Sequence, residues 1–344
     1  MTNKLGNLVQ DRWIEGDGDG TTLASAVNGE PVATITSQGL DFAGILAHAR
    51  EVGGSNLRKM TFHERGDMLK SLAKYLMEHK KELYAVSTET GATRGDSWVD
   101  IDGGISTLFV FSSKGRREMP NDHVYLDGPP EALSRNGTFV GQHICTPKLG
   151  AAVHINAFNF PCWGMLEKLG PALLAGVPAI VKPASSTAYL TELMVRRINA
   201  SGILPEGALQ LICGGVGDLF DHLNCQDTIA FTGSKNTAEF LQQHPRVIGE
   251  SVAFTAETDS LNSSILGPDA LPGTPEFELY ISEVTREMTA KAGQKCTAIR
   301  RIIAPATIAG ELTAALADAL GKIRIGNPAS KDVDMGALAS QGQR

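Results

Sequence analysis

Apolar positions recur three, four and seven residues apart at Leu69, Leu72, Leu76 and Leu83, with charged residues between them. This is the spacing of one buried helix face. The helical pattern extends over residues 40–86, and a further helix is expected over residues 98–111. After Gly150 the rhythm changes to short apolar runs. Residues 151–155, 178–181, 209–212 and 228–231 read as strands, with helices over residues 163–174, 187–200, 217–223 and 236–243. Strands alternating with helices at this spacing predict an α/β fold with a parallel sheet covered on both faces. In such sheets ligands sit beyond the carboxyl ends of the strands. Strands are also expected over residues 251–255, 263–266 and 299–304. Between the last two, a helix over residues 279–292 carries the stripe Ile281, Val284, Met288 and Ala292 and is stopped by Gly293. Residues 1–33, rich in Gly and Asp, read as an extended N-terminal arm. Residues 114–147, with Pro120, Gly128, Pro129 and Pro130, read as an irregular arm with short strands.

The length of 344 residues points to about two domains. With 42% hydrophobic and 20% charged residues there is material for a sizeable core. Thirty-one Lys+Arg against 38 Asp+Glu give a net charge of −7, with no block of like charge. That distribution argues against a nucleic-acid footprint or a polybasic membrane arm. The first residues are too polar for a signal peptide, and the longest nearly apolar stretch, residues 172–181, is broken by Gly176 and Pro178. A soluble, cytoplasmic chain is expected. Cys145, Cys162, Cys213, Cys225 and Cys296 form no C-x-x-C pair, so reduced thiols are expected, and neither a metal site nor a disulfide framework.

Several residues fall where chemistry is done. Cys296, in Gly293-Gln294-Lys295-Cys296-Thr297, lies just past a helix beside Lys295, with Arg300 and Arg301 close in sequence. A thiolate is stabilised in such a setting; the same cysteine also reads as a buried structural thiol. Glu257, at a strand end, is a general base or a solvated loop acid. Asn159, in Asn156-Ala157-Phe158-Asn159-Phe160-Pro161, is an oxyanion donor or an ordinary turn residue. Lys182 precedes Pro183-Ala184-Ser185, while Gly214-Gly215-Val216-Gly217 and Thr232-Gly233-Ser234 precede helices, as phosphate sites do. No G-x-G-x-x-G is present, because Phe220 occupies the last position of the nearest match. These residues alone also admit a cysteine hydrolase pairing Cys296 with a histidine such as His154, or a non-catalytic binding protein.

Asn159-Phe160-Pro161, Lys182-Pro183-Ala184, Phe231-Thr232-Gly233-Ser234, Glu257 and Gly293-Gln294-Lys295-Cys296 stand in the order and approximate spacing of the aldehyde dehydrogenase superfamily. The chain resembles that superfamily over essentially its whole length. His154-Ile155-Asn156-Ala157, Glu257-Thr258-Asp259-Ser260-Leu261-Asn262 and residues 284–301 resemble the branch acting on CoA-linked semialdehydes in aromatic catabolism. Trp98-Val99-Asp100-Ile101 and Cys162-Trp163-Gly164-Met165-Leu166-Glu167-Lys168 lean towards its phenylacetate members; the alternative is the branch oxidising 3,4-dehydroadipyl-CoA semialdehyde in the benzoyl-CoA pathway.

The resemblance implies a Rossmann-like coenzyme-binding domain over residues 1–113 and 148–257, an oligomerisation arm over 114–147 and an incomplete catalytic domain over 258–344. It implies Cys296 as nucleophile, forming a thiohemiacetal and then a thioester. The Asn159 amide and the Cys296 backbone N–H would hold the oxyanion, and Glu257 would activate the hydrolytic water. Lys182, Ser185, Gly217, Gly233 and Ser234 would bind the coenzyme. Ser185 stands where NAD-preferring members carry a glutamate, so NADP is expected in preference to NAD. The implied partners are a CoA-thioester semialdehyde and, for the full-length protein, further copies of itself. Asp259-Ser260-Leu261 replaces the family's usual Gly-Gly-Lys. The chain stops before the family's segment against the nicotinamide ribose, so the front part of a longer enzyme is expected.

Overall fold

Gly and Asp interrupt the first 35 residues too often for long elements, and five short strands result: β1 (Asn3–Lys4), β2 (Asn7–Val9), β3 (Arg12–Ile14), β4 (Thr21–Ala24) and β5 (Pro31–Ile35). The fold is given by a computed structural model that describes residues 3–344. The expected N-terminal arm is therefore folded. Leu5, Leu8 and Val9 are buried, and these apolar side chains draw the segment onto the body. Asn7 secures it: its side-chain amide donates to the Thr36 carbonyl at 3.0 Å and its Oδ1 accepts the Cys213 N–H at 2.7 Å.

The long helical pattern becomes α1 (Phe42–His48), α2 (Gly54–Arg58), α3 (Phe62–His79) and α4 (Lys81–Ser87), with a π turn over Ala49–Gly53 between the first two. Thr61 and Glu64 form a reciprocal capping box at the start of α3. Leu69, Leu72, Leu76 and Leu83 are all fully buried, each stabilising the fold by roughly 1.5–3 kcal/mol. Next come α5 (Arg94–Trp98), a second π turn over Val99–Gly103, and α6 (Gly104–Arg117). The short strands expected in the arm of residues 114–147 pair as an antiparallel hairpin, β6 (Tyr125–Ala132) with β7 (Val140–Cys145), whose side chains are largely exposed.

The alternating part follows its pattern: β8 (Ala152–Ile155), α7 (Pro161–Leu174), β9 (Ala179–Lys182), α8 (Ala188–Ala200), β10 (Leu209–Leu211) and β11 (Thr228–Thr232). After these come α9 (Lys235–Gln242), α10 (Pro245–Gly249) and β12 (Ala253–Glu257). The main sheet has the order β12-β11-β8-β9-β10-β2-β3, parallel from β12 to β10 and closed by the two antiparallel N-terminal strands. One core packs α3, α6, α7 and α8 on one face; a second, with Ile45, Leu46 and Phe220, covers the other. The helix expected over residues 217–223 is only a 3-10 turn over Leu219–His222. Gly217 is left-handed, with φ +48°, and Leu223 is already extended, so no longer helix fits between them.

The last region contains β13 (Asn262–Ile265), α11 (Pro275–Thr289), β14 (Ile299–Ile303) and α12 (Ala309–Gly321). Strands β13 and β14 pair in parallel, and α12 buries Leu312 and Leu316 in a core with Phe277, Ile281 and Val284 of α11. Helix α11 ends three residues earlier than expected, because Lys291 and Ala292 take left-handed conformations with φ of 52° and 54°. Among the described residues no helix is long and apolar enough to cross a membrane.

Candidate active site

Strand register brings the candidate residues together. Ile155 pairs with both Lys182 and Phe231, and Thr232 with Glu257, so β12, β11, β8 and β9 end side by side. Parallel strands present their next residues on one rim, which here are Asn156, Pro183, Gly233 and Thr258. Across that rim lies the loop 290–298. Together they enclose a cavity of about 870 Å³ lined by Asn159, Lys182, Ser185, Gly233, Ser234, Glu257 and Cys296. Of the catalytic and coenzyme residues that the resemblance implies, Gly217 is the one outside it. Gly217 lines a neighbouring cavity of about 770 Å³, which shares Ser185 with the first. Its conformation has a packing cause, since a Cβ there would lie 2.2 Å from the Phe42 ring.

The exposed Cys296 thiol faces Glu257. Partial burial raises its pKa, and the Glu257 carboxylate raises it further through charge and a hydrogen bond; the backbone N–H groups of Thr297 and Cys296 work in the opposite direction. The expectation of a cation-stabilised thiolate is thereby corrected. Lys295 is held 2.6 Å from Glu287, Arg300 donates to the Gly293 carbonyl at 2.9 Å, and Arg301 donates to the Leu261 carbonyl at 2.8 Å. The Cys296 carbonyl is fixed by the Ser260 hydroxyl at 2.6 Å and by the Asn262 amide.

Asn159 Oδ1 accepts the Phe160 N–H at 3.1 Å, which orients the amide. Its Nδ2 has no protein acceptor among the described residues. Lys182 is half-buried and, among the described residues, forms no ion pair; burial lowers its pKa. Ser234 caps α9 by accepting the Thr237 N–H at 3.3 Å, and Asp259 accepts the Lys235 N–H at 3.3 Å. His154 is buried on β8 and does not line the cavity, so the alternative pairing of His154 with Cys296 is not formed.

Three residues near the site escaped the sequence reading. Neither polar atom of the Asn156 side chain has a partner among the described residues, although Asn156 lines the cavity. Its place in the same loop as Asn159 is the one signal that could have marked it. Asp100 is buried beneath the loop and accepts the Cys162 and Trp163 N–H groups at 3.0 and 2.8 Å. Lys291 is buried just before Cys296. An Asp and a Lys read by type as solvated charges, and only tertiary packing takes them inside.

The chain is similar to known proteins over nearly its whole length. The aldehyde dehydrogenase family model matches residues 13–344. The 3,4-dehydroadipyl-CoA semialdehyde dehydrogenase of Aromatoleum evansii is 46% identical over 99% of this chain and 66% of its own length. The sulfoacetaldehyde dehydrogenase of Neptuniibacter caesariensis is 28% identical over 91% of this chain and 64% of its own length. This chain thus spans just under two thirds of the length of these relatives. A crystal structure of Staphylococcus aureus betaine aldehyde dehydrogenase in complex with NAD+ superposes with a TM-score of 0.85 at 23% identity, covering 98% of this chain and 65% of that one. An NADP-dependent enzyme of Escherichia coli superposes with a TM-score of 0.83 at 20% identity, covering 99% and 68%. At these identities the two structures establish the fold.

Proposed function

The chain belongs to the aldehyde dehydrogenase family, and from that premise we propose that it oxidises a CoA-linked semialdehyde to the acid through Cys296, with NADP as the preferred coenzyme. The observation that carries the reading is the convergence of Cys296, Glu257 and Asn159 on one cavity with Lys182, Ser185 and Ser234. The residues present fit a nicotinamide coenzyme. The half-buried Lys182 ammonium lacks a protein carboxylate among the described residues, and the carboxylates lining that cavity, Glu257 and Asp259, follow β12 and not Lys182. Lys182 and Ser185 would hold the adenosine side and Ser234 the pyrophosphate. Ser185 is common to both cavities, which supports an elongated ligand reaching Gly217. When bound, the coenzyme supplies the hydride acceptor.

The chain's own residues account for the remaining chemistry. The Cys296 sulfur adds to the aldehyde carbon while its proton passes to Glu257, the carboxylate it faces. The free Nδ2 of Asn159 donates to the oxygen that gains charge, and one such donor is worth about 3 kcal/mol of barrier. After oxidation the carbon is held as a thioester on Cys296, and Glu257, once it has released the thiol proton to solvent through the open cavity, draws the proton from the water that hydrolyses it.

For the substrate, the relative at 46% identity favours the 3,4-dehydroadipyl-CoA semialdehyde type. The residues that lean towards phenylacetate catabolism, 98–101 and 162–168, do not line the cavity, so they carry no direct information about what enters it. The same reading assigns residues 1–113 and 148–257 to coenzyme binding and 258–344 to the catalytic domain. It assigns 114–147, with its exposed Leu126, Phe139, Val140 and Ile144, to assembly of copies. The test is reduced-coenzyme absorbance with CoA-linked and free semialdehydes, each with NADP and with NAD. Activity is expected to be highest with the CoA-linked substrate and NADP and to vanish in Cys296→Ala. Oxidation that survives Cys296→Ala overturns the mechanism, and an NAD efficiency at or above that for NADP overturns the coenzyme assignment.

A further inference from the structure

We propose that buried Lys291 is a positioning residue that sets the Cys296 loop against Glu257, and that it does so from the segment 90–103. The inference rests on reading Cys296 as the nucleophile. Lys291, Ala292 and Gly293 are three successive left-handed residues, with φ of 52°, 54° and 72°. Two of them carry side chains, and such a turn persists only where the surroundings fix it. Here the surroundings do so at both ends of Lys291. Its backbone N–H donates to Asp96 Oδ1 at 2.7 Å. Its ammonium donates to Thr90 Oγ1 at 2.9 Å, with the Thr90 carbonyl at 3.4 Å. From this anchor the chain turns directly into the loop: Gln294 donates to the Lys291 carbonyl from its backbone at 3.0 Å and from its side chain at 2.9 Å, two residues before Cys296.

The segment that holds Lys291 also holds the opposite wall of the cavity. Asp96 closes a capping box with Thr93 at the start of α5. One turn on, Asp100 receives the first N–H groups of α7, the helix that follows the Asn159 loop. Asp100 and Lys291 influence each other's ionisation across the buried space beside Cys162. A single stretch of chain, including the π turn Val99–Gly103, thus fixes the loop bearing Cys296 on one side and the helix entered from Asn159 on the other. π turns of this kind recur at functional sites.

The contact between the thiol and Glu257 gives a readout that needs no coenzyme or substrate. The charged groups near Cys296 are Glu257 at the end of β12 and Asp259 just beyond it, Lys182 at the end of β9, Arg300 on β14, and Lys295 of the loop with its partner Glu287 on α11. Of these, Glu257 is the one that raises the thiol pKa. Alkylation of Cys296 by iodoacetamide, followed against pH by peptide mass spectrometry, has Cys225 as an exposed internal control. Glu257→Gln is expected to lower the alkylation midpoint of Cys296. Lys291→Met, which keeps the side-chain length and the backbone bond to Asp96, is expected to lower it by about half a pH unit or more as the thiol moves off Glu257. The double variant is expected to add little to either single change, because both remove the same contact. Thr90→Val, which removes one acceptor at nearly constant volume, is expected to act in the same direction more weakly, and it carries the test if Lys291→Met does not fold.

A midpoint unmoved in Lys291→Met, or in Thr90→Val where that variant stands in, overturns the inference, as does full additivity in the double variant. A midpoint unmoved by Glu257→Gln overturns it too, since the loop would then have no partner to be set against. Aldehyde oxidation surviving Cys296→Ala is a separate result, which removes the functional reading and leaves the alkylation result to be judged alone.

Discussion

Asp227 is the strongest test of how the sheet is pinned beneath the site. Its side chain is fully buried, paired with Arg50, and accepts the Ala151 N–H and the Asn224 N–H at 2.8 Å each. Replacing it with alanine leaves Arg50 without its carboxylate and two main-chain donors without acceptors. Breaking a buried ion pair by removing one partner costs roughly 3–5 kcal/mol, and each orphaned buried donor roughly 1–3 kcal/mol. These losses share one cavity and do not add. Arg50 is 23% exposed and keeps the His222 carbonyl at 2.8 Å, so it recovers part of its hydration. The expected loss for Asp227→Ala is therefore about 4 kcal/mol, a large fraction of the 5–15 kcal/mol typical of a domain. Asp227→Asn, which keeps an acceptor oxygen, should lose about half as much. Urea unfolding followed by circular dichroism and by tryptophan fluorescence measures both. The structure adds a local expectation: β8 and β11 begin beside this clip and end at Ile155 and Thr232, next to the cavity-lining Asn156 and Gly233, so the cavity should loosen before global unfolding in hydrogen exchange. A loss below about 1 kcal/mol in Asp227→Ala would refute the argument.

Further expectations concern coenzyme and pH. Ser185→Glu puts a carboxylate beside Lys182 at the place where a 2′-phosphate would sit, and the ratio of NADP to NAD efficiency should fall about 10- to 100-fold; an unchanged ratio removes Ser185 from the coenzyme site. Burial holds His154 neutral, with a pKa lowered to about 3. Between about pH 6.5 and 3 the unfolded chain therefore binds a proton that the folded one refuses, and stability falls as pH falls. Burial also holds Asp100 protonated up to about 7, so over about pH 4 to 7 the folded chain retains a proton that the unfolded one has released, and stability falls as pH rises. Relative to wild type, His154→Leu should flatten the acid side of the stability profile and Asp100→Asn the neutral side. Urea midpoints across that range check both signs, and parallel profiles in either variant would refute the corresponding burial.

How much could be read in advance followed from how much each element depends on its own residues. Strands β8, β9 and β11 and helices α7 and α8 were legible because each carries its own apolar run or stripe. The five N-terminal strands were not, since runs of two to five residues among Gly and Asp acquire their identity from pairing with distant partners. The end of α11 was misplaced because Gly293 offered a local stop, while the real break comes from Lys291, whose burial depends on Thr90 and Asp96 some two hundred residues earlier. The site itself was legible as a set of strand ends and one loop. Which cations face the thiol was not, because Lys295 lies next to Cys296 in sequence and yet is turned to Glu287.

That last point bears on how the proposed chemistry is paced. A carboxylate beside a thiol opposes its ionisation, so in the free protein Glu257 keeps Cys296 protonated and less reactive towards alkylating and oxidising agents. When a carbonyl carbon arrives, the same carboxylate is in place to take the departing proton. Once the sulfur is acylated it bears no charge, the conflict between the two groups ends, and Glu257, after releasing that proton to solvent, can act on water. The juxtaposition is therefore least favourable if the thiol ionises before Glu257 has taken its proton, when repulsion between the two anions would drive the loop away from β12. A loop free to yield would relieve that repulsion by moving, and the proton would lose its acceptor. A loop seated on a buried lysine and two left-handed residues resists the movement, which is why its anchoring and the pH response of its cysteine should change together.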